Sequence, residues 1–288
     1  MIYLLLSILS SSIIFVVFKL YTKFGINTLQ AIIVNYYIAC TVGFFGYIEN
    51  FDISRVPAES WFPGTLFLGV MFISVFYLAA LTTQKSGLSV VSVATKMSVA
   101  IPVFFGMFLY NENTGILKII GIFLALASVY LTSIKKKEGI SIKKKNLIFP
   151  LLVFLGSGII DATIKFLETS YVSESDVGLF SSTIFAIAGT IGTGILLYQV
   201  LTGGLKITMR NILGGIALGI PNYFSIYFLV MALRSPEFDS SSIFTMNNVG
   251  IVSVSTLLGI AFFEERLIRK NWIGISLAII SIILVAQS

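Results

Sequence analysis

Lys135-Lys136-Lys137-Glu138-Gly139-Ile140-Ser141-Ile142-Lys143-Lys144-Lys145 lies near the middle of a 288-residue chain, between two long apolar halves. Six of the nineteen basic residues fall in this tract. Such a run has no place in a hydrocarbon core and belongs in water. Lysines clustered beside an apolar segment also mark the cytoplasmic side, because Lys and Arg resist translocation. The tract therefore divides the chain and orients both halves.

Composition agrees. Hydrophobic residues make up 57% of the chain and charged residues 11%, where a soluble domain carries about 25% charged. An ordinary water-soluble protein is excluded. The net charge of +6 does not point to nucleic acid, because the basic residues sit at the ends of apolar runs, where they anchor to the bilayer surface. Cys40 is the single cysteine and there is no histidine. The commonest general base and metal ligand is thus missing, which excludes a Ser-His-Asp hydrolase. No cofactor and no metal site is expected. Met1-Ile2-Tyr3-Leu4-Leu5-Leu6 lacks a basic n-region and reads as a first spanning helix, retained in the mature protein.

About 20 apolar residues cross a bilayer as a helix. Ten segments meet or approach that length: 2–18, 29–48, 61–81, 88–109, 116–134, 147–167, 177–200, 212–233, 241–263 and 272–286. Their continuity argues against a membrane barrel, whose segments of about ten residues alternate polar and apolar. Connections after the odd-numbered segments carry fourteen Lys and Arg, against three (Arg55, Lys118, Arg234) on the opposite side. The positive-inside rule then puts both termini outside a cytoplasmic (inner) membrane. Each half has an odd number of spans, so the second half inserts upside down, as in an inverted repeat. The expected fold is an all-α integral membrane protein: ten transmembrane helices as two inverted five-helix repeats (1–134 and 147–288) around a central cavity, joined by a basic linker (135–146).

The repeat is faint but readable. Pro102-Val-Phe-Phe-Gly-Met-Phe-Leu-Tyr-Asn-Glu112, followed by Gly121, returns as Thr256-Leu-Leu-Gly-Ile-Ala-Phe-Phe-Glu-Glu265, followed by Gly274. With Tyr77-Leu-Ala-Ala-Leu81 and Tyr227-Phe-Leu-Val-Met-Ala-Leu233, these runs make the chain resemble the EamA-type branch of the drug/metabolite transporter superfamily. The likeness covers nearly the whole chain. It implies a polytopic secondary transporter with a cavity between its halves, lined by helices 1, 3, 4, 6, 8 and 9, and leaves the substrate open. Ser255 stands where the second half would repeat Pro102, a departure from the pattern.

Polar groups at membrane depth point to function, since an ionisable one costs about 2.5–3.5 kcal/mol at a helix centre. Lys96, in the fourth segment, reads as a cation facing the cavity for a substrate carboxylate or phosphate; the competing reading is an internal ion pair. Pro102, six residues on, frees a carbonyl and kinks the helix. Asp161 and Lys165 lie four apart and share a face. They pair with each other, or Asp161 neutralises Lys96 or carries a coupling proton. Asn222 and Tyr223 flank Pro221, which is expected to interrupt the eighth segment; Gly215 and Gly219 there offer a close-approach face instead. Asn247 and Asn248 map onto Ala94 and Thr95 by the 153-residue offset, and adjacent asparagines cannot both face one helix. Asn35 is a weaker candidate of the same kind. Glu112 and Glu265 precede new helices and read as structural, at positive helix ends.

The first reading is therefore a carrier of a small-molecule metabolite, driven by a gradient or by exchange, because no Walker-type Gly-Lys-Ser/Thr follows any glycine pair. A flippase or carrier for a lipid-linked or amphipathic substrate is the alternative. A membrane-embedded enzyme ranks last, with Asp161 the sole acid in the core. The lipid bilayer is the expected partner, and the oligomeric state stays open, a monomer being compatible.

Overall fold

The computed structural model describes residues 1–45, 53–86, 94–109, 115–133, 148–202, 208–263 and 268–287. The lysine tract, Glu112 and Glu265 lie outside these residues. Among them every regular element is helical: α1 (Ile2–Phe24), α2 (Thr28–Phe45), α3 (Phe62–Ser86), α4 (Ala100–Leu109), α5 (Ile116–Ser133), α6 (Ile148–Ser170), α7 (Val177–Leu201), α8 (Met209–Leu233), α9 (Ser240–Phe263) and α10 (Arg269–Ala286). Six stretches within them are long and apolar enough to cross a membrane, and Ile2–Phe18, Ala94–Leu109 and Ile116–Leu131 are shorter apolar helices. Large apolar side chains such as Phe104, Phe108, Phe123 and Ile279 stand exposed on the outside of the bundle, an arrangement that only lipid tolerates. This is a multi-pass membrane protein.

The helices of the two halves interleave. Chiefly, α1 packs on α8 and α9, α2 on α7 and α8, α3 on α6 and α7, α4 on α6 and α9, and α5 on α10 and α9. Among the described residues, the principal neighbours of every first-half helix belong to the second half.

Local chemistry sets two helix ends differently from expectation. Hydropathy predicts an end for α1 at Phe18, but the helix runs on to Phe24 and stops at Gly25, whose φ of 61° is left-handed. The amides of Gly25 and Ile26 both reach back to the Tyr21 carbonyl, which satisfies orphan C-terminal acceptors. The second departure concerns the prolines. Pro221 does not interrupt its helix: α8 continues from Met209 to Leu233. The interruption falls instead before Pro102, where one helical turn at Ala94–Met97 gives way to a turn at Ser98–Val99 before α4 begins. Pro102 has no N–H for the Ser98 carbonyl, four residues back. Ile101 supplies its own at 2.9 Å, a tighter i→i+3 bond, and the Ser98 hydroxyl donates to the Thr95 carbonyl at 2.6 Å. The step is held open by these bonds.

Close packing of α8 on α2 uses small residues. A Cβ placed on Gly215 would meet the Val34 Cβ at 2.4 Å, and one on Gly219 the Ile38 Cβ at 2.6 Å. The same face continues to Asn222, whose side-chain amide donates to the Asn35 Oδ1 at 3.0 Å. The Asn35 amide in turn donates to the Ile32 carbonyl at 3.3 Å. Interhelical bonds of this kind contribute about 0.6 kcal/mol on average in membrane proteins. A double-mutant cycle on Asn35→Leu and Asn222→Leu, read by unfolding in mixed micelles, is expected to give a coupling of that size. A coupling near zero would mean the bond is not formed.

Candidate functional site

Lys96 occupies the helical turn just before the Ser98–Val99 step and is 8% exposed. Its ammonium lies 5.3 Å from the centre of the Phe15 ring on α1, within the range of a cation–π contact. The opposing carboxylate comes from α6. A Cβ on Gly158 would lie 2.4 Å from Ile101 of α4, so this side of α6 faces α4, and Asp161 follows one turn later on the same side. Lys96 and Asp161 are electrostatic neighbours that form no ion pair within 4 Å. A base from one half and an acid from the other thus stand where α4 and α6 face each other, beside an unwound turn.

Lys165 turns elsewhere. Its ammonium reaches Glu168 at 3.1 Å and the Leu233 carbonyl at 3.4 Å. Glu168, 5% exposed, also meets the Arg234 guanidinium at 3.3 Å. Arg234 completes the clasp by donating to the carbonyls of Glu168 and Val172, the last turn of α6 and just beyond. Cations at helix C-termini oppose the negative end of the dipole, so the clasp joins the ends of α6 and α8. Sequence reasoning missed Glu168. Its i,i+3 spacing from Lys165 near the end of an apolar run was the available signal.

Of the asparagines, Asn35 and Asn222 bond to each other across the α2–α8 seam. Tyr223, 5% exposed, stacks on Tyr227 with centroids 5.8 Å apart and packs toward Gly43 of α2. Asn248 donates to the Phe244 carbonyl at 3.1 Å on its own helix. Asn247 differs: it is 5% exposed and its side-chain oxygen has no hydrogen-bond partner among the described residues. Gly250, one turn along, abuts Ile8 of α1, where a Cβ would come within 2.6 Å. Asn247 therefore lies on the side of α9 that faces α1, the helix that also carries Phe15 beneath Lys96. Buried acceptors left open carry a desolvation cost of about 1–3 kcal/mol, which a ligand donor would relieve.

Residues 1–134 match the model of the EamA-like transporter family. The first half of the chain is therefore similar to that family. An uncharacterized protein of Haemophilus influenzae is 28% identical over 277 residues, covering 94% of this chain and 93% of its own. The chain is also similar to the glucose uptake protein GlcU of Staphylococcus xylosus, 27% identical over 187 residues, 63% of this chain and 60% of that one. A protein of known crystal structure shares the fold at a TM-score of 0.76 and 13% identity, covering 98% of this chain and 94% of its own. The family match and the staphylococcal relative support a membrane transporter in general.

Proposed function

We propose that this protein is a secondary transporter that moves a small polar metabolite by alternating access between two inverted five-helix repeats. Exchanging each helix with the one five places later maps most of the main packing pairs onto one another: α1 on α8 and α9 becomes α6 on α3 and α4. That exchange supports a pseudo-two-fold relation and ten spans. The charge bias of the connections supports an outside location for the face that bears Met1 and Arg234.

The observation that carries the reading is the placement of Lys96 at the unwound Ser98–Val99 step, with Asp161 opposite. Irregular backbone at membrane depth is tolerated where it is buried in protein or lines a cavity, and discontinuous helices build many transporter sites. Lys96 offers ammonium donors, Asp161 carboxylate acceptors and the Asn247 oxygen a further acceptor. A solute bearing both hydroxyls and acceptor oxygens would bridge them. Because Asp161 already balances Lys96, a net-neutral solute suits the site better than the anion that Lys96 alone suggested. Uptake of glucose by the staphylococcal relative puts hexoses first among ligands to try.

A thermal-shift screen of purified protein against sugars, amino acids, organic acids and nucleosides tests this. Ligand at a hundred times its Kd stabilises by about 2.7 kcal/mol. A hexose or another net-neutral solute is expected to raise the midpoint, and Lys96→Met to abolish the rise without loss of the folded protein. Silence from every soluble class would overturn the small-metabolite reading.

A further inference from the structure

The turn between α8 and α9 is short and heavily charged, and each of its charges reaches a different helix. Arg234 holds the end of α6 through Glu168 and the Val172 carbonyl. Glu237 meets the Met1 amino group at the head of α1, 3.2 Å away. Asp239 accepts from Lys118 in the first turn of α5 at 2.7 Å. The Lys118 side chain is 1% exposed while that of Asp239 is 42% exposed. In the sequence Lys118 and Arg234 counted only among the basic residues of the connections on one face. Both point into this layer.

The turn also walls a cleft of about 400 Å³ on the same face, lined by Tyr3, Glu174, Arg234, Glu237, Phe238 and Ile243 among others. Below the cleft, Asp161, Lys165 and Glu168 follow one another at i, i+4 and i+7 along one face of α6. A file of charged groups thus leads from the cleft, through the Arg234–Glu168–Lys165 clasp, to the carboxylate opposite Lys96.

We propose that the Arg234–Asp239 turn is the gate of the transport path on this face, with Lys118 and Glu168 as the points to which it latches. The inference rests on the transporter reading, but its own logic is electrostatic. An ion pair between a buried lysine and a half-exposed carboxylate holds while the turn lies down on α5. Lifting the turn would leave Lys118 buried without its counter-charge, so opening is disfavoured until the path is otherwise occupied. Lys118 and Asp239 are positioning residues: they set how often the path opens and do not touch the solute.

The test uses the full chain in nanodiscs without solute, so its outcome leaves the transporter reading untouched. Leu4 lines the cleft and is 4% exposed, packed with Leu233, Ile243 and Phe244. In a Cys40→Ser background, Leu4→Cys reports opening through its rate of reaction with a membrane-impermeant maleimide. Lys118→Met and Asp239→Asn are each expected to raise that rate about tenfold, a shift of about 1.4 kcal/mol in the opening equilibrium. The charge exchange Lys118→Asp with Asp239→Lys should return it to within about twofold of the starting value. When the same two single substitutions are made in the parent chain, with Leu4 and Cys40 unchanged, Cys40, 7% exposed in the core, should stay unreactive, which separates gating from general loosening. Unchanged labelling in both singles, failure of the exchange to restore it, or a parallel rise at Cys40 would each overturn the proposal.

Discussion

Gly215→Ala is expected to lower stability by about 2 kcal/mol, although alanine is the better helix former by about 1 kcal/mol. The new methyl would stand 2.4 Å from the Val34 Cβ, 2.6 Å from its Cγ1 and 2.7 Å from the Ala31 carbonyl oxygen. Two of these atoms are fixed by the α2 backbone, so no change of rotamer relieves them. The helices must move apart along the whole Gly215–Gly219–Asn222 face, at the upper end of the 1–3 kcal/mol usual for overpacking. Gly194 provides the control. A Cβ there meets nothing within 4 Å, so Gly194→Ala should be neutral or stabilising by up to about 1 kcal/mol. Unfolding midpoints in mixed micelles decide the matter. A higher midpoint for Gly215→Ala would show that α2 and α8 do not approach as described.

The second large effect concerns Glu168. Its carboxylate lies between two cations, 3.1 Å from Lys165 and 3.3 Å from Arg234, and its side chain is 5% exposed. Removal of one partner from a buried pair costs about 3–5 kcal/mol, because the charges left behind are uncompensated. Glu168→Ala strands two such charges between α6 and α8, and a loss in this range is expected. Glu168→Gln keeps a carbonyl acceptor and should lose roughly half as much. Replacing Lys165 and Arg234 by methionine together with Glu168→Ala should recover most of the loss, since an apolar substitute for a buried ion cluster is often neutral. If Glu168→Ala melts with the parent, the clasp contributes nothing to cohesion.

These sites show where the sequence was legible. Each of the ten apolar runs overlaps a helix among the described residues, six of them long and apolar enough to cross a membrane, because hydropathy reads the solvent a segment faces. Lys96 and Asp161 were legible for the same reason: a charge in such a run stands out. The prolines were legible only in part: an irregular helix was expected at Pro102 and is found just before it, but the interruption expected at Pro221 is absent. Both carry the same local penalty, yet α8 stays continuous and the helix before Pro102 unwinds. The Ser98 hydroxyl and the Ile101 amide give the freed backbone other partners there, a circumstance that proline alone does not reveal. The asparagines divided along a line of the same sort. Asn35 and Asn222 stand 187 positions apart, so their bond is a fact of tertiary packing, and the open oxygen of Asn247 is visible only once its neighbours are in place. The gate charges were hidden for a further reason: a lysine near the end of an apolar run looks solvated whether it faces water or, like Lys118, turns inward toward a carboxylate more than a hundred residues away.

The interleaving of the helices bears on how the protein is made. Since α1 to α5 find their principal partners among α6 to α10, the first half leaves the ribosome before most of its packing surfaces have anything to meet. Asn35 enters the bilayer with Asn222 still unsynthesised, and Ser7 waits for the Ser225 carbonyl, 218 residues later. Until the second half follows, the polar side chains of the first-half helices are expected to rely on lipid headgroups, water or the insertion machinery. Truncation after residue 134 should leave a species that inserts yet is cleared by membrane proteases, and supplying residues 147–288 as a separate chain should rescue it.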